Sequence, residues 1–240
     1  MIFVNVGQLT NNIVSRNIYL ASMEPRNVAQ VLREDGLSID NIMSNDGGSP
    51  IGAADGVRRK YTAGMYGYCG GDSIEGSRAC SEMKFGYVFD PAQIIGSDLP
   101  GSNEGRFRNL FDNWGTGTYS RKHWTPAFYL SFLGTIFVGV AFLTTCLIHM
   151  AAIVVAGVIG LLGFALLAAG ASIWTADLYG LCNSATAGLS FNYGNALWMT
   201  WAAVGSTLLS LPALFTSSYA SHTRWDDGME RGNYYQHPPY

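Results

Sequence analysis

AFYLSFLGTIFVGVAFLTTCL (Ala127 to Leu147), AAIVVAGVIGLLGFALLAAGASIW (Ala151 to Trp174) and ALWMTWAAVGSTLLSLPALFT (Ala196 to Thr216) contain no Asp, Glu, Lys or Arg. At about 1.5 Å of rise per helical residue, the shorter two reach roughly 32 Å, against a bilayer hydrocarbon core near 30 Å. Soluble helices of this length carry a polar stripe, and these carry none. The runs therefore predict three membrane-spanning helices.

Charge is distributed to match. Of the 14 Lys and Arg residues, 12 precede the first run, and Asp177 is the only formal charge between Ala127 and Thr216. The first 126 residues hold those 12 basic groups against 13 acidic ones, so they offer no basic face to a nucleic acid, and we expect no such partner. This region is studded with Ile, Leu, Phe and Tyr, which predicts a folded appendage rather than a disordered arm. Pro25 and the following residues to Asp35 read as a short helix stopped by Gly36, Ser44 to Gly56 reads as loop, and Phe107 to Trp114 reads as a second short helix.

The chemistry-bearing residues are sparse. Cys69 and Cys80 lie 11 positions apart in the polar part, and spacing alone leaves a disulfide and two separate thiols equally open. The four histidines are scattered away from this pair, so we expect no zinc or other metal. Cys146 closes the first run, where a lone Cys reads as a small apolar residue or a palmitoylation site, and Cys182 falls in a loop. Ionisable groups are missing from the runs, which argues against a transport pathway. Nucleophile elbow, Walker and His-Glu-x-x-His motifs are also missing, so we expect neither an enzyme nor a cofactor.

Within the runs, Ala152, Ala156 and Gly160 recur at four-residue spacing, as do Ala202, Ser206 and Ser210. Small residues at this spacing allow helix backbones to approach closely, within one bundle or between copies. Pro212 should kink the last span, with Thr207 or Ser210 helping to satisfy the freed carbonyl. Trp124, Tyr129, Trp174, Tyr179, Trp198 and Trp201 cluster toward one end of the spans, as an interfacial aromatic belt would.

Gly64-Met65-Tyr66-Gly67-Tyr68-Cys69 resembles the Gly-Leu-aromatic…Cys signature of the fungal Sur-seven/PalI family. Cys80 follows at the family's spacing, then Phe89-Asp90-Pro91 and Ile94-Ile95. Gly170 to Trp174 and Gly194 to Ala203 resemble the ends of that family's last two spans. Tyr66 or Tyr68 stands where the family carries a loop Trp. The resemblance implies a claudin-like helical bundle in the plasma membrane and a disulfide between Cys69 and Cys80 in an extracellular loop region shaped by Gly64, Gly67 and Tyr68. It also implies a role in organising eisosome-type membrane domains, or alternatively an accessory part in ambient-pH signalling. Expected partners are the lipid bilayer and other membrane-domain proteins or further copies of the chain.

The family has four spans. Met1 to Val6 reads as the end of a helix, and we expect the first span to be missing ahead of it. Counting charges would place the polar part in the cytosol. A segment this long translocates largely regardless of charge, however, and the resemblance puts the disulfide outside. The expected layout is an extracellular loop region over 1–126, a three-span bundle over 127–216 with a second outer loop from Thr175 to Asn195, and a solvated cytosolic tail over 217–240. That tail ends in Pro238-Pro239-Tyr240, one residue short of a WW-domain ligand.

Overall fold

The computed structural model of the protein describes residues 17–34, 36, 42–44, 48–72, 76–99, 105, 107–109, 116–146, 150–183 and 188–234. The N-terminal stub, most of the turn between the first two spans and the Pro-Pro-Tyr end lie outside these residues. The elements are β1 (Ala21–Glu24), α1 (Val28–Glu34), β2 (Lys60–Ala63), β3 (Tyr68–Gly71), β4 (Arg78–Cys80), α2 (Pro91–Asp98), α3 (Thr116–Thr145), α4 (Met150–Asn183), β5 (Ser190–Tyr193) and α5 (Asn195–Tyr234). Stretches His123–Thr145, Ala152–Asn183 and Asn195–Ala213 are each long and apolar enough to cross a membrane. The chain divides into two compact units, Met1–Leu130 with Ala169–Trp201, and Ser131–Ala168 with Ala202–Tyr240.

The first unit is built on a five-stranded antiparallel sheet of order β4-β3-β2-β1-β5. Each strand is only three or four residues long, and the central ones are covered on both faces: Ala21, Ser22 and Met23 are all buried, as are Tyr61, Thr62 and Ala63. A strand buried on both sides loses the alternation that would announce it, so the sequence signalled no sheet here. Helix α1 forms where expected but starts at Val28, and Gly36 ends it in the left-handed region (φ +77°), donating to the Arg33 carbonyl. Met43, just before the expected loop, forms an isolated parallel bridge with Val57 just after it, and Ser44 N donates to the Val57 carbonyl at 2.9 Å.

Two expectations change. The segment from Thr175 to Asn195 is helix and strand where a loop is expected: α4 runs on to Asn183, which puts Cys182 and Asp177 on a helix, and β5 then pairs along β1 from Ala21↔Tyr193 to Glu24↔Ser190. At about 1.5 Å per residue α4 is about 51 Å long, so it outreaches a bilayer core of roughly 30 Å. Trp124 and Trp174 leave the expected aromatic belt. Both are buried in the core of this unit, their rings perpendicular with centroids 4.3 Å apart. Tyr129, Tyr179, Trp198 and Trp201 remain exposed, and Trp201 Nε1 donates to Thr175 Oγ1 at 3.0 Å.

In the second unit, small residues line the helix contacts. An added Cβ at Gly134 would lie 2.9 Å from the Leu167 amide nitrogen, and one at Gly163 would lie 3.0 Å from that of Val138, so α3 and α4 meet backbone to backbone at a reciprocal pair of glycines. Of the expected ridges, Ala156 and Gly160 are buried and Ala152 is half-buried, whereas Ala202, Ser206 and Ser210 face outward. Thr207 donates to the Ala203 carbonyl and Ser210 to that of Thr207, so neither serves the carbonyl freed one turn before Pro212. Helix α5 continues to Tyr234, so the segment from residue 217 is helical to that point. Because the α3–α4 contact is backbone to backbone, Gly163→Val should force the two helices apart and lower stability by about 1–3 kcal/mol. The check is the thermal unfolding midpoint in nanodiscs, where an unchanged midpoint would contradict the contact.

Candidate functional site

The loop-motif residues lie in the hairpin of β2, β3 and β4 and at the start of α2. Gly64 N donates to the Gly67 carbonyl at 2.8 Å, closing a four-residue turn that buries Met65. Gly67 packs where a Cβ would lie 2.7 Å from Ser81 Oγ. Cys69 and Cys80 stand directly opposite each other on β3 and β4 and are joined as a disulfide, with Cα atoms 4.0 Å apart. Tyr68 stacks on Tyr87, centroids 5.9 Å apart. Phe89 is fully buried against Trp124. Asp90 caps α2 by accepting from Gln93 N at 3.2 Å, with Pro91 in the first turn, where the missing N–H costs nothing. Every one of these roles shapes or staples the unit.

Sequence reading missed the centre of this hairpin. Arg58 and Asp98, 40 positions apart, are each 2% exposed and form a buried pair, Nε to Oδ2 at 3.4 Å. The Arg58 guanidinium also donates to the carbonyls of Ser49 (2.5 Å), Pro50 (3.1 Å) and Gly70 (3.3 Å). Tyr61 donates its hydroxyl to Asp98 Oδ2 at 2.7 Å and accepts from Arg58 N, while Gly52 N donates to Asp98 Oδ1 at 2.7 Å. Gly70 admits the arginine stem, since a Cβ there would lie 2.7 Å from Arg58 Cδ. One ion pair thus ties the loop before β2, the sheet and the end of α2 together. Arg78 reaches Thr62 in the same sheet.

Beside the hairpin lies a cavity of about 630 Å³ whose walls include Tyr68, Tyr87, Lys84, Asp90 and Gln93. The phenols here are held protonated. Burial, reinforced by the Asp98 charge, raises Tyr61 far above its usual value and pushes Tyr68 up to about 12, and burial likewise raises Tyr87. A phenol whose folded pKa is raised contributes stability that is complete below its unfolded value near 10 and is lost as pH rises toward the folded value. Among the 13 tyrosines, we therefore expect a late phase at 295 nm in an alkaline titration, coincident with loss of near-ultraviolet dichroism. Tyr68→Phe should shrink that phase, and a single phase near pH 10 would contradict the burial.

Asp177, on α4, is 1% exposed, with Oδ1 3.7 Å from His123 Nδ1. Among the described residues no group of three His, Cys, Asp or Glu could hold a metal ion. A free Cys182 thiol donates to the Phe191 carbonyl, and Cys146 is exposed.

The family model described as the SUR7/PalI family matches residues 1–212. The chain belongs to the SUR7/PalI family. No curated protein and no solved structure matches it. Family membership and three spanning helices make this a multi-pass membrane protein. Within this SUR7/PalI protein, the residues that carry the family resemblance in the polar part are those of the disulfide hairpin and the α2 cap, and none of them forms a catalytic arrangement.

Proposed function

We propose that this SUR7/PalI protein is a structural organiser of a plasma-membrane domain of the eisosome type, with a claudin-like arrangement in which the hairpin unit faces outward and the region after the third span lies in the cytosol. The observation that carries this reading is the Cys69–Cys80 disulfide: disulfides persist in oxidising compartments and are rare in the cytosol. A stapled unit joined to spans that carry few ionisable groups suits a scaffold better than a transporter. In this reading, lateral contact uses the outward ridge of Ala202, Ser206 and Ser210.

Two measurements on intact cells test it. A tagged chain should lie in stable patches that coincide with furrow markers, and an even distribution over the plasma membrane would overturn the organising role. A membrane-impermeant maleimide should label Cys69 and Cys80 only after an external reductant is added. Labelling that requires permeabilisation would place the hairpin in the cytosol.

A further inference from the structure

Between β4 and α2 the chain makes a tight excursion, Glu82-Met83-Lys84-Phe85-Gly86. Its tip carries two largely exposed apolar side chains: Met83 is 67% and Phe85 56% exposed. The backbone is nevertheless tied down. Ser81 N donates to the Tyr68 carbonyl, Lys84 N to that of Tyr66, and Tyr87 N to that of Lys84. The last bond closes a turn with Gly86 at φ +70°, a position that favours glycine. A loop ordered in this way while presenting Met and Phe outward has a surface to meet.

The position of the tip identifies that surface. The Phe85 ring lies 4.9 Å from Phe128 and 5.9 Å from Tyr129, both edge-on, on the first spanning helix. A Cβ at Gly86 would come within 3.4 Å of the Tyr129 hydroxyl. Tyr129 is also where the outward apolar strip of that helix begins, followed by Leu133, Ile136 and Val140, all exposed. Phe85 thus sits beside the start of the first apolar span, next to a tyrosine of the kind that settles in the headgroup layer. Lys84, between the two apolar side chains, has the long stem and charged head that reach from acyl chains to phosphates.

We infer that the Met83-Lys84-Phe85 loop enters the bilayer interface beside α3, with Met83 and Phe85 among the upper acyl chains and the Lys84 ammonium at the phosphates. The loop is then a second membrane contact of the sheet unit, in addition to its helices, and the internal pairing of the Lys84 and Tyr87 amides lowers the cost of bringing this stretch of backbone to the interface. This holds whichever side of the membrane the unit occupies.

The test uses the full chain, with carbon-13-labelled methionine methyls, in phosphatidylcholine nanodiscs. Loss of one resonance in Met83→Leu assigns the Met83 methyl, and this conservative change preserves the fold. The expected result is that a lipid nitroxide placed high on the acyl chain abolishes the Met83 signal, whereas a water-soluble nickel chelate leaves it intact. Quenching by the chelate, or survival beside the lipid nitroxide, overturns the inference.

Discussion

Arg58→Ala should cost about 3–5 kcal/mol, because it strands the Asp98 carboxylate in the core without its counter-charge. Against a typical total of about 5–15 kcal/mol, that is enough to leave the sheet unit marginal or unfolded. The loss goes beyond one ion pair: the carbonyls of Ser49, Pro50 and Gly70 also lose their guanidinium donor. Asp98→Ala should be comparably severe, since it removes the acceptor of Tyr61 Oη and Gly52 N and leaves a cation that is 2% exposed. Replacing both partners with apolar groups removes both uncompensated charges. Arg58→Met with Asp98→Leu is therefore expected to be less damaging than the sum of the two single changes, with a coupling of about 1–3 kcal/mol. Denaturant unfolding in nanodiscs, followed by near-ultraviolet dichroism, measures all of these. Purely additive losses would show that the two side chains do not act as a pair.

Cys69→Ser should cost about 3 kcal/mol by the chain-entropy estimate for a closed loop of this length, and the damage should be local. The bridge joins opposed residues of β3 and β4, and β4 is a three-residue strand at the edge of the sheet. Without the bridge, hydrogen exchange should rise over Arg78–Cys80 and through the following loop to Tyr87, since that loop hangs from β3 by the Ser81 amide. The central strands should keep their protection, β2 because its Tyr61 belongs to the Arg58–Asp98 network and β1 because it pairs with β2. Uniform loss across the sheet would show that the disulfide, rather than the ion pair, holds the unit together. The two variants therefore separate a central tie from a marginal one.

The contrast between the ties also shows what could be read in advance. Cys69 and Cys80 stand out because cysteine is rare in this chain and the surrounding glycines and aromatics resemble a known family. Asp90-Pro91 likewise carries its cap in the local order of residues. Arg58 gave no such signal, being one of three consecutive basic residues whose partner lies 40 positions away. Trp124 and Trp174 misled for a related reason. An aromatic residue at the end of a span reads as a headgroup anchor, and only the sheet unit packed around these helix ends converts the pair into core.

The sequence by itself determined the three spans, the polar part and the candidate staple, because the absence of charge over twenty or more residues and the choice of turn and cap residues act locally. The tertiary structure alone decided that α4 extends to Asn183, that β5 closes the sheet against β1, that Gly134 and Gly163 set the α3–α4 contact, and that a buried arginine holds the hairpin. These depend on pairings between distant segments, and the free energy of such a pairing belongs to two surfaces brought together rather than to either stretch of chain.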